Sequence, residues 1–232
     1  MTKNFYITTP IYYPSAKPHM GHAYSSIVSD FFARFKRLDG YKVYFLTGTD
    51  EHGLKIQRAA EKKDMEPLLF CNQISKTFMD LSKTLNLSNT DFIRTTEKRH
   101  IKSVQNLWNI LERKDEIYLS KYSGWYSVSD EAFYSDEEIE EQNGIKTAIN
   151  SGSNVEWVEE ESYFFKLSKW QNKLLKFYEE NPNFILPISR KNEVISFVKS
   201  GLKDLSVSRK SLSWGIKVPS NNKHVIYVWL DA

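Results

Sequence analysis

The chain has 232 residues, 41% apolar and 14% aromatic, enough for one or two domains around a sizeable core; nine Gly, seven Pro and no repeats exclude collagen, solenoid and disordered-linker classes. The longest apolar run, Val225–Leu230, is far short of the ~20 residues of a membrane span, and the single Cys71 excludes a disulfide scaffold and a cysteine zinc cluster. Net charge is +3 but uneven: residues 130–161 hold eleven acids and one Lys and read as a solvated face, while the remaining +13 favours phosphate-rich ligands.

Phe5-Tyr6-Ile7-Thr8-Thr9 is β-branched and aromatic and predicts a strand, followed by a turn-rich loop from Pro10 to Pro18. Ala23, Ile27, Phe31, Phe35 and Leu38, widened by Val28 and Phe32, recur at helical spacing before Gly40, which predicts a helix burying that stripe. Val43-Tyr44-Phe45-Leu46 predicts a parallel strand buried on both faces. Strand, loop, helix, strand is the unit of a doubly wound nucleotide-binding sheet, where ligands lie beyond the carboxyl ends of the strands.

Pro67 opens a core-helix stripe of Phe70, Ile74, Phe78, Leu81 and Leu85, and Ile101, Val104, Leu107 or Trp108 and Leu111 predict another. From Glu116 to Val158 short aromatic strands broken by Ser, Gly and acidic clusters predict a small inserted domain. Ser168 and Gln171 suit a capping box for a helix burying Trp170, Leu174 and Phe177; a further helix is expected over Asn192–Ser200, and a buried strand over His224–Leu230. A parallel strand normally feeds a helix, so a chain ending at Ala232 reads as an amino-terminal portion.

His19-Met20-Gly21-His22 opens the first helix, where unpaired N–H groups and the helix dipole favour a polyphosphate and two imidazoles can add donors; Gly21 would let a flat base lie on the backbone. The same pair also suits a metal or no ligand at all. Asp50-Glu51-His52 after the second strand suits a metal, an ammonium group or a helix cap, and the pattern alone leaves these open.

Thr8–Pro14 with His19-Met20-Gly21-His22 resembles the first signature of class I aminoacyl-tRNA synthetases in the form carried by methionyl-tRNA synthetases. The resemblance continues through Gly48–Gly53, Gly124–Tyr134, Ser162–Ser168, Val207–Arg209 and Tyr227–Ala232, nearly the whole chain. It implies a Rossmann-like α/β fold with a catalytic first half at 1–115, an inserted connective-peptide domain at 116–206 and a return to the catalytic domain at 207–232. It implies activation of L-methionine by ATP, with Mg2+, and transfer to tRNA(Met), by a cytoplasmic enzyme that is a monomer at full length and has no membrane partner.

Carried over by residue, His19 and His22 would act on the ATP phosphates, with Met20 and Gly21 completing the nucleotide site. Ile11, Tyr13, Asp50, Arg209 and Trp229 would hold methionine, Asp50 at its ammonium and the aromatics at its thioether. Ser127 and Asp130 stand where many relatives carry the first zinc-binding cysteine pair, so no structural zinc is expected. The family's Lys-Met-Ser-Lys-Ser loop and anticodon-binding domain are not in the sequence, so the chain alone is expected to be poorly active. A His-x-Gly-His nucleotidyltransferase and a noncatalytic fragment binding methionine or tRNA are the alternatives.

Overall fold

The computed structural model describes residues 3–130, 132–142 and 144–232, so Glu131 of the Gly124–Tyr134 motif lies outside the described residues. Strand β1 (Asn4–Thr8), helix α1 (Met20–Leu38) and strand β2 (Lys42–Thr49) form the expected crossover, followed by α2 (Leu54–Glu61), α3 (Pro67–Thr84) and β3 (Asp91–Arg94). The three strands pair in parallel in the order β1-β2-β3. Gly48 lets β3 in: a Cβ there would sit 2.1 Å from the Ile93 carbonyl oxygen.

Two expectations about this layer are corrected. Sheet residues Val43 and Phe45, with Phe5 and Ile7, pack on Ala33 of α1, but the opposite face carries Tyr6 stacked on Tyr44 at 5.7 Å, and both are exposed, so β2 is not buried on both faces. Helix α1 also lies the other way round from its apolar stripe. Its buried residues are Ser26, Ser29, Asp30 and Ala33, whereas Phe31 is 64% and Leu38 90% exposed. The reason is polar docking. Asp30 accepts hydrogen bonds from the Ser88 N–H (2.7 Å) and from Arg34 Nε (2.6 Å), and Ser26 Oγ lies 2.7 Å from the Tyr12 hydroxyl. Small and hydrogen-bonded residues bring the helix close to the sheet; an outward row of aromatics remains.

The α3 stripe is buried as expected through Phe70, Ile74 and Phe78, which meet Tyr12 and the apolar face of α2, Ile56 and Ala60. Helix α4 (Lys98–Arg113) buries Val104 and Trp108 against Ile117, Val207, Ile216 and Ile226. Strand β4 (Ile117–Ser127), β5 (Ala132–Tyr134), β6 (Ile139–Gln142), β7 (Ile145–Ala148) and β8 (Glu156–Phe165) follow. β4 pairs along its length with β8, and β6 with β7 as a hairpin.

Helix α5 (Gln171–Glu180) starts after a short 3-10 turn at Leu167–Trp170, and the Ser168–Gln171 box does not form. Ser168 is taken by Asp204, which accepts from its N–H (3.0 Å) and hydroxyl (2.5 Å), and Gln171 Oε1 accepts from the Leu202 N–H instead. Helix α6 (Ile188–Lys199) begins four residues before the expected start. β9 (Leu205–Ser206) extends the β5-β4-β8 sheet, and β10 (Ser208–Arg209), β11 (Lys217–Val218) and β12 (Asn221–Ile226) form an antiparallel sheet ordered β10-β12-β11. The expected strand His224–Leu230 stops at Ile226, and a one-turn helix α7 (Val228–Asp231) follows, leaving Trp229 62% exposed rather than buried. Among the described residues no helix is long and apolar enough to cross a membrane.

Candidate active site

The first helix begins at a reciprocal imidazole cap. His19 is the N-cap residue and its Nδ1 accepts from the Gly21 N–H at 3.1 Å, while His22 Nδ1 accepts from the His19 N–H at 3.0 Å. A nitrogen that accepts carries no proton, so in this geometry the remaining ring nitrogen, Nε2, carries the N–H and presents a donor away from the backbone. The rings lie 3.9 Å apart, and His22 also meets Tyr12 and Phe78 edge-on. Burial and then the charge of His19 hold the His22 imidazole below its ordinary pKa, which keeps it neutral at pH 7. A Cβ at Gly21 would lie 2.9 Å from His19 Cε1, so a larger residue there would push the His19 ring out of its capping position. Met20 is exposed beside it.

The second half of the site is the turn after β2. Asp50, Glu51 and His52 are all buried, and almost every backbone group of the turn is held. The Asp50 N–H donates to the Tyr12 carbonyl (2.8 Å), and the Glu51 N–H to Thr95 Oγ1 (2.9 Å). Trp214 Nε1 donates to the Glu51 carbonyl (2.6 Å) and the Tyr13 hydroxyl to the His52 carbonyl (2.8 Å). The Glu51 side chain anchors the turn from below through Arg94, Ser75, Thr49 and Thr96. Burial raises the Glu51 pKa, but these hydrogen bonds outweigh it and hold the carboxyl below its ordinary value. Cys71 is not a nucleophile: burial, then the Glu51 charge, push its thiol up to about 12.

Asp50, His52, Gly53, Leu212, Val225, Tyr227, Val228 and Asp231 line an enclosed cavity of about 10 Å3, room for roughly one water. Tyr13 reaches its wall through His52. Arg209 is buried, lies over the Tyr227 ring at 3.8 Å, donates to Ser206 Oγ (2.6 Å) and stands 3.9 Å from Glu160. Trp229 follows the lining Val228 but is 62% exposed, and Ile11 is 38% exposed; of the residues expected to hold methionine the cavity gathers Asp50 alone, and Ile11, Tyr13, Arg209 and Trp229 do not line it. Sequence reasoning assigned no role to His100 or to Asp231, the latter only a member of the Tyr227–Ala232 stretch; both meet His52 in one network. They are far apart in sequence, so no local spacing could reveal them.

Two further features flank the site. Lys55, Arg58 and Lys62 recur along one exposed side of α2 and its C-cap and, with Lys63, line a cleft of about 1130 Å3 opposite Lys146 and Glu156. At the place of the expected cysteine pair, Asp130 accepts from the hydroxyls of Ser151 (2.5 Å), Ser153 (2.8 Å) and Tyr134 (2.7 Å), and Ser127 Oγ accepts from the Asp130 N–H (3.3 Å).

The family profile described as tRNA synthetases class I (M) matches residues 5–232. The chain belongs to the class I (M) tRNA synthetases. It is 59% identical over all 232 residues to a methionine–tRNA ligase of Rickettsia bellii, covering 45% of that protein, and 56% identical over 231 residues to one of Rhizobium meliloti, again covering 45%. Among solved structures it matches Mycobacterium tuberculosis methionyl-tRNA synthetase in complex with methionyl-adenylate at TM-score 0.96 and 48% identity, over 99% of this chain and 45% of that one. The apo form of that protein matches at TM-score 0.82 and 45% identity, covering 44% of its chain. This synthetase chain thus spans less than half the length of the relatives it matches, and its α/β architecture is theirs.

Proposed function

We propose that this chain carries the amino-acid-activating site of a methionine–tRNA ligase. ATP, with Mg2+ on its phosphates, and L-methionine react to methionyl-adenylate and pyrophosphate, and the methionyl group then passes to tRNA(Met). The observation that carries this reading is the imidazole pair at the head of α1, with Asp50 immediately after the end of the adjoining strand β2.

The methionine carboxylate oxygen attacks the α-phosphorus, a P–O bond forms, and the bond to the bridging oxygen breaks with its electron pair leaving on pyrophosphate. Negative charge grows on phosphate oxygens as this happens, and fixed N–H donors at a helix N-terminus stabilise it. His19 and His22 supply those donors, with Met20 and Gly21 forming the floor of the nucleotide site. Asp50 holds the ammonium, Arg209 lies toward the same end, and Tyr13, Ile11 and Trp229 surround the side chain. Transfer to tRNA is a second substitution at the activated carbonyl, with AMP leaving, and the cations of α2 give the polyanion a neighbouring surface.

The test is methionine-dependent ATP–pyrophosphate exchange. Exchange that requires methionine and is not supported by leucine supports the reading. Because the chain alone is expected to be poorly active, exchange is measured again after adding a separately expressed carboxyl-terminal portion: methionine binding with no exchange in either case would assign the noncatalytic alternative, and exchange indifferent to amino acids would assign a nucleotidyltransferase.

A further inference from the structure

Two carboxylates, Asp50 and Asp231, line the same small cavity, although an amino acid offers it only one ammonium group. They come from different places, Asp50 from the end of β2 and Asp231 from α7. A second ionised carboxylate in an enclosed cavity repels the first and competes for the ligand's cation, unless it is occupied by the protein itself.

Asp231 is so occupied. It is 4% exposed, its Oδ2 lies 2.6 Å from His52 Nδ1, and its Oδ1 lies 2.9 Å from His100 Nε2, which is also 2.8 Å from the Asp231 carbonyl oxygen. A carboxylate and a carbonyl can only accept, so both protons sit on the imidazoles. Burial raises the Asp231 pKa, but the hydrogen bonds from His100 and His52 and their charge hold it below its ordinary value. Burial likewise lowers His100, and the Asp231 hydrogen bond and charge outweigh it to leave that imidazole above its ordinary value. The two directions agree on a charge-paired network.

The network is also a strut. His52 follows Asp50 by two residues, and its carbonyl accepts from Tyr13; His100 lies in the first turn of α4; Asp231 closes the turn that carries Trp229. One carboxylate therefore fastens together three elements around the cavity.

We propose that Asp231, clamped by His52 and His100, is a positioning residue for amino-acid recognition: the imidazoles withhold it from the ligand's ammonium and fix the Trp229 turn against the Asp50 turn. This rests on the proposed placement of the methionine ammonium at Asp50; the small cavity behind Asp50 has room for about one water, not for the amino acid.

The experiment measures L-methionine binding by calorimetry on the full chain for wild type, His100→Leu, His100→Gln and Asp231→Asn, with thermal unfolding alongside. His100→Leu removes the donor and frees Oδ1, and is expected to weaken methionine about tenfold or more. His100→Gln keeps an N–H donor and is expected to restore affinity to within about threefold, a rescue that mere packing loss would not predict. The charged groups facing His100 are Asp231 and, further off, Asp50. Neutral His100 keeps its Nε2–H donor to Asp231, so affinity in wild type is expected to change by no more than about threefold as pH rises through the raised His100 pKa, matching His100→Gln. Asp231→Asn keeps one acceptor and is expected to weaken binding as His100→Leu does. Unchanged affinity in His100→Leu and Asp231→Asn, or a loss that Gln does not repair in a folded protein, overturns the proposal. A wild-type chain that binds no methionine instead overturns the placement of the ammonium at Asp50, and this inference with it.

Discussion

Glu51 and Arg94 meet in a two-pronged ion pair, Nε to Oε1 at 2.6 Å and NH2 to Oε2 at 2.9 Å, with the carboxylate fully enclosed. It joins the turn after β2 to the end of β3, and the hydroxyls of Ser75 and Thr96 also donate to the carboxylate. Arg94→Met leaves a buried carboxylate without its cation and is expected to cost about 3–5 kcal/mol of stability, read from urea unfolding. The Glu51 pKa is depressed in the folded state, so its contribution is present above the ordinary carboxylate range and is lost as pH falls below it. Wild type should therefore lose stability more steeply in acid than Glu51→Gln, and parallel acid titrations would contradict this account.

Asp50 stands in a turn whose neighbours are pinned from Tyr12, Thr95, Trp214 and Tyr13, which is how a short carboxylate is aimed without help from its own flexibility. Asp50→Ala should weaken methionine by about tenfold to a hundredfold, the worth of a charge-assisted contact. Calorimetry giving equal affinity in the two proteins would remove Asp50 from the ammonium site.

Burial and then His19 hold the His22 pKa below its ordinary value, so its Nε2–H donor is available at pH 7 and a second proton joins it only below the ordinary imidazole range. His22→Ala should lower the rate of methionine-dependent exchange by roughly 100- to 1000-fold with little change in methionine affinity. A variant that lost affinity and rate equally would place His22 in amino-acid binding instead.

The parts legible in the sequence are those whose meaning is local. His19-Met20-Gly21-His22 declares a helix start, and the β2 turn declares its own position at a strand end. Phe31 and Asp30 show where local reading fails. They are adjacent on α1, and periodicity assigns Phe31 to the core and Asp30 to solvent, yet Asp30 is 8% exposed because Ser88, 58 residues on, binds its carboxylate. Hydropathy cannot register a partner that distant. Trp229 fails for a related reason: Val225–Leu230 reads as one apolar run, but the chain turns into α7 once Ile226 has finished pairing, and the indole is carried outward. The Asp231 network is invisible for the same cause, since His52 and Asp231 are separated by 179 positions.

The outward aromatics of α1 make a direct prediction about association. Tyr24, Ile27, Phe31, Phe35 and Leu38 lie along one exposed side, and contiguous apolar surface of this kind drives proteins together. The chain should show concentration-dependent association in sedimentation velocity, and Phe31→Lys with Phe35→Lys should suppress it while leaving the unfolding midpoint nearly unchanged. Association that survives both charges would move the contact elsewhere.

Asp130 makes the last prediction. It gathers Ser151, Ser153 and Tyr134 through its two carboxylate oxygens, while its own N–H binds Ser127, so one side chain closes the loop between β4 and the segment after β7. This is the work a tetrahedral metal would do with four ligands, carried out by hydroxyls on one anion. The Ser151 and Tyr134 hydrogen bonds, foremost among the contacts, hold the carboxyl down at about 2. A depressed acid contributes stability above its unfolded pKa, so the closure is complete above about pH 4 and weakens only as pH falls from there toward 2. Asp130→Ala should raise hydrogen exchange across residues 127–155 while the β1-β2-β3 sheet keeps its protection, and Asp130→Asn, which retains one acceptor, should fall between. Elemental analysis of wild type after dialysis against zinc should find no stoichiometric metal. Unchanged exchange in the Ala variant would show that Asp130 closes nothing, and one zinc held per chain would show that the hydroxyls and carboxylate serve as ligands after all.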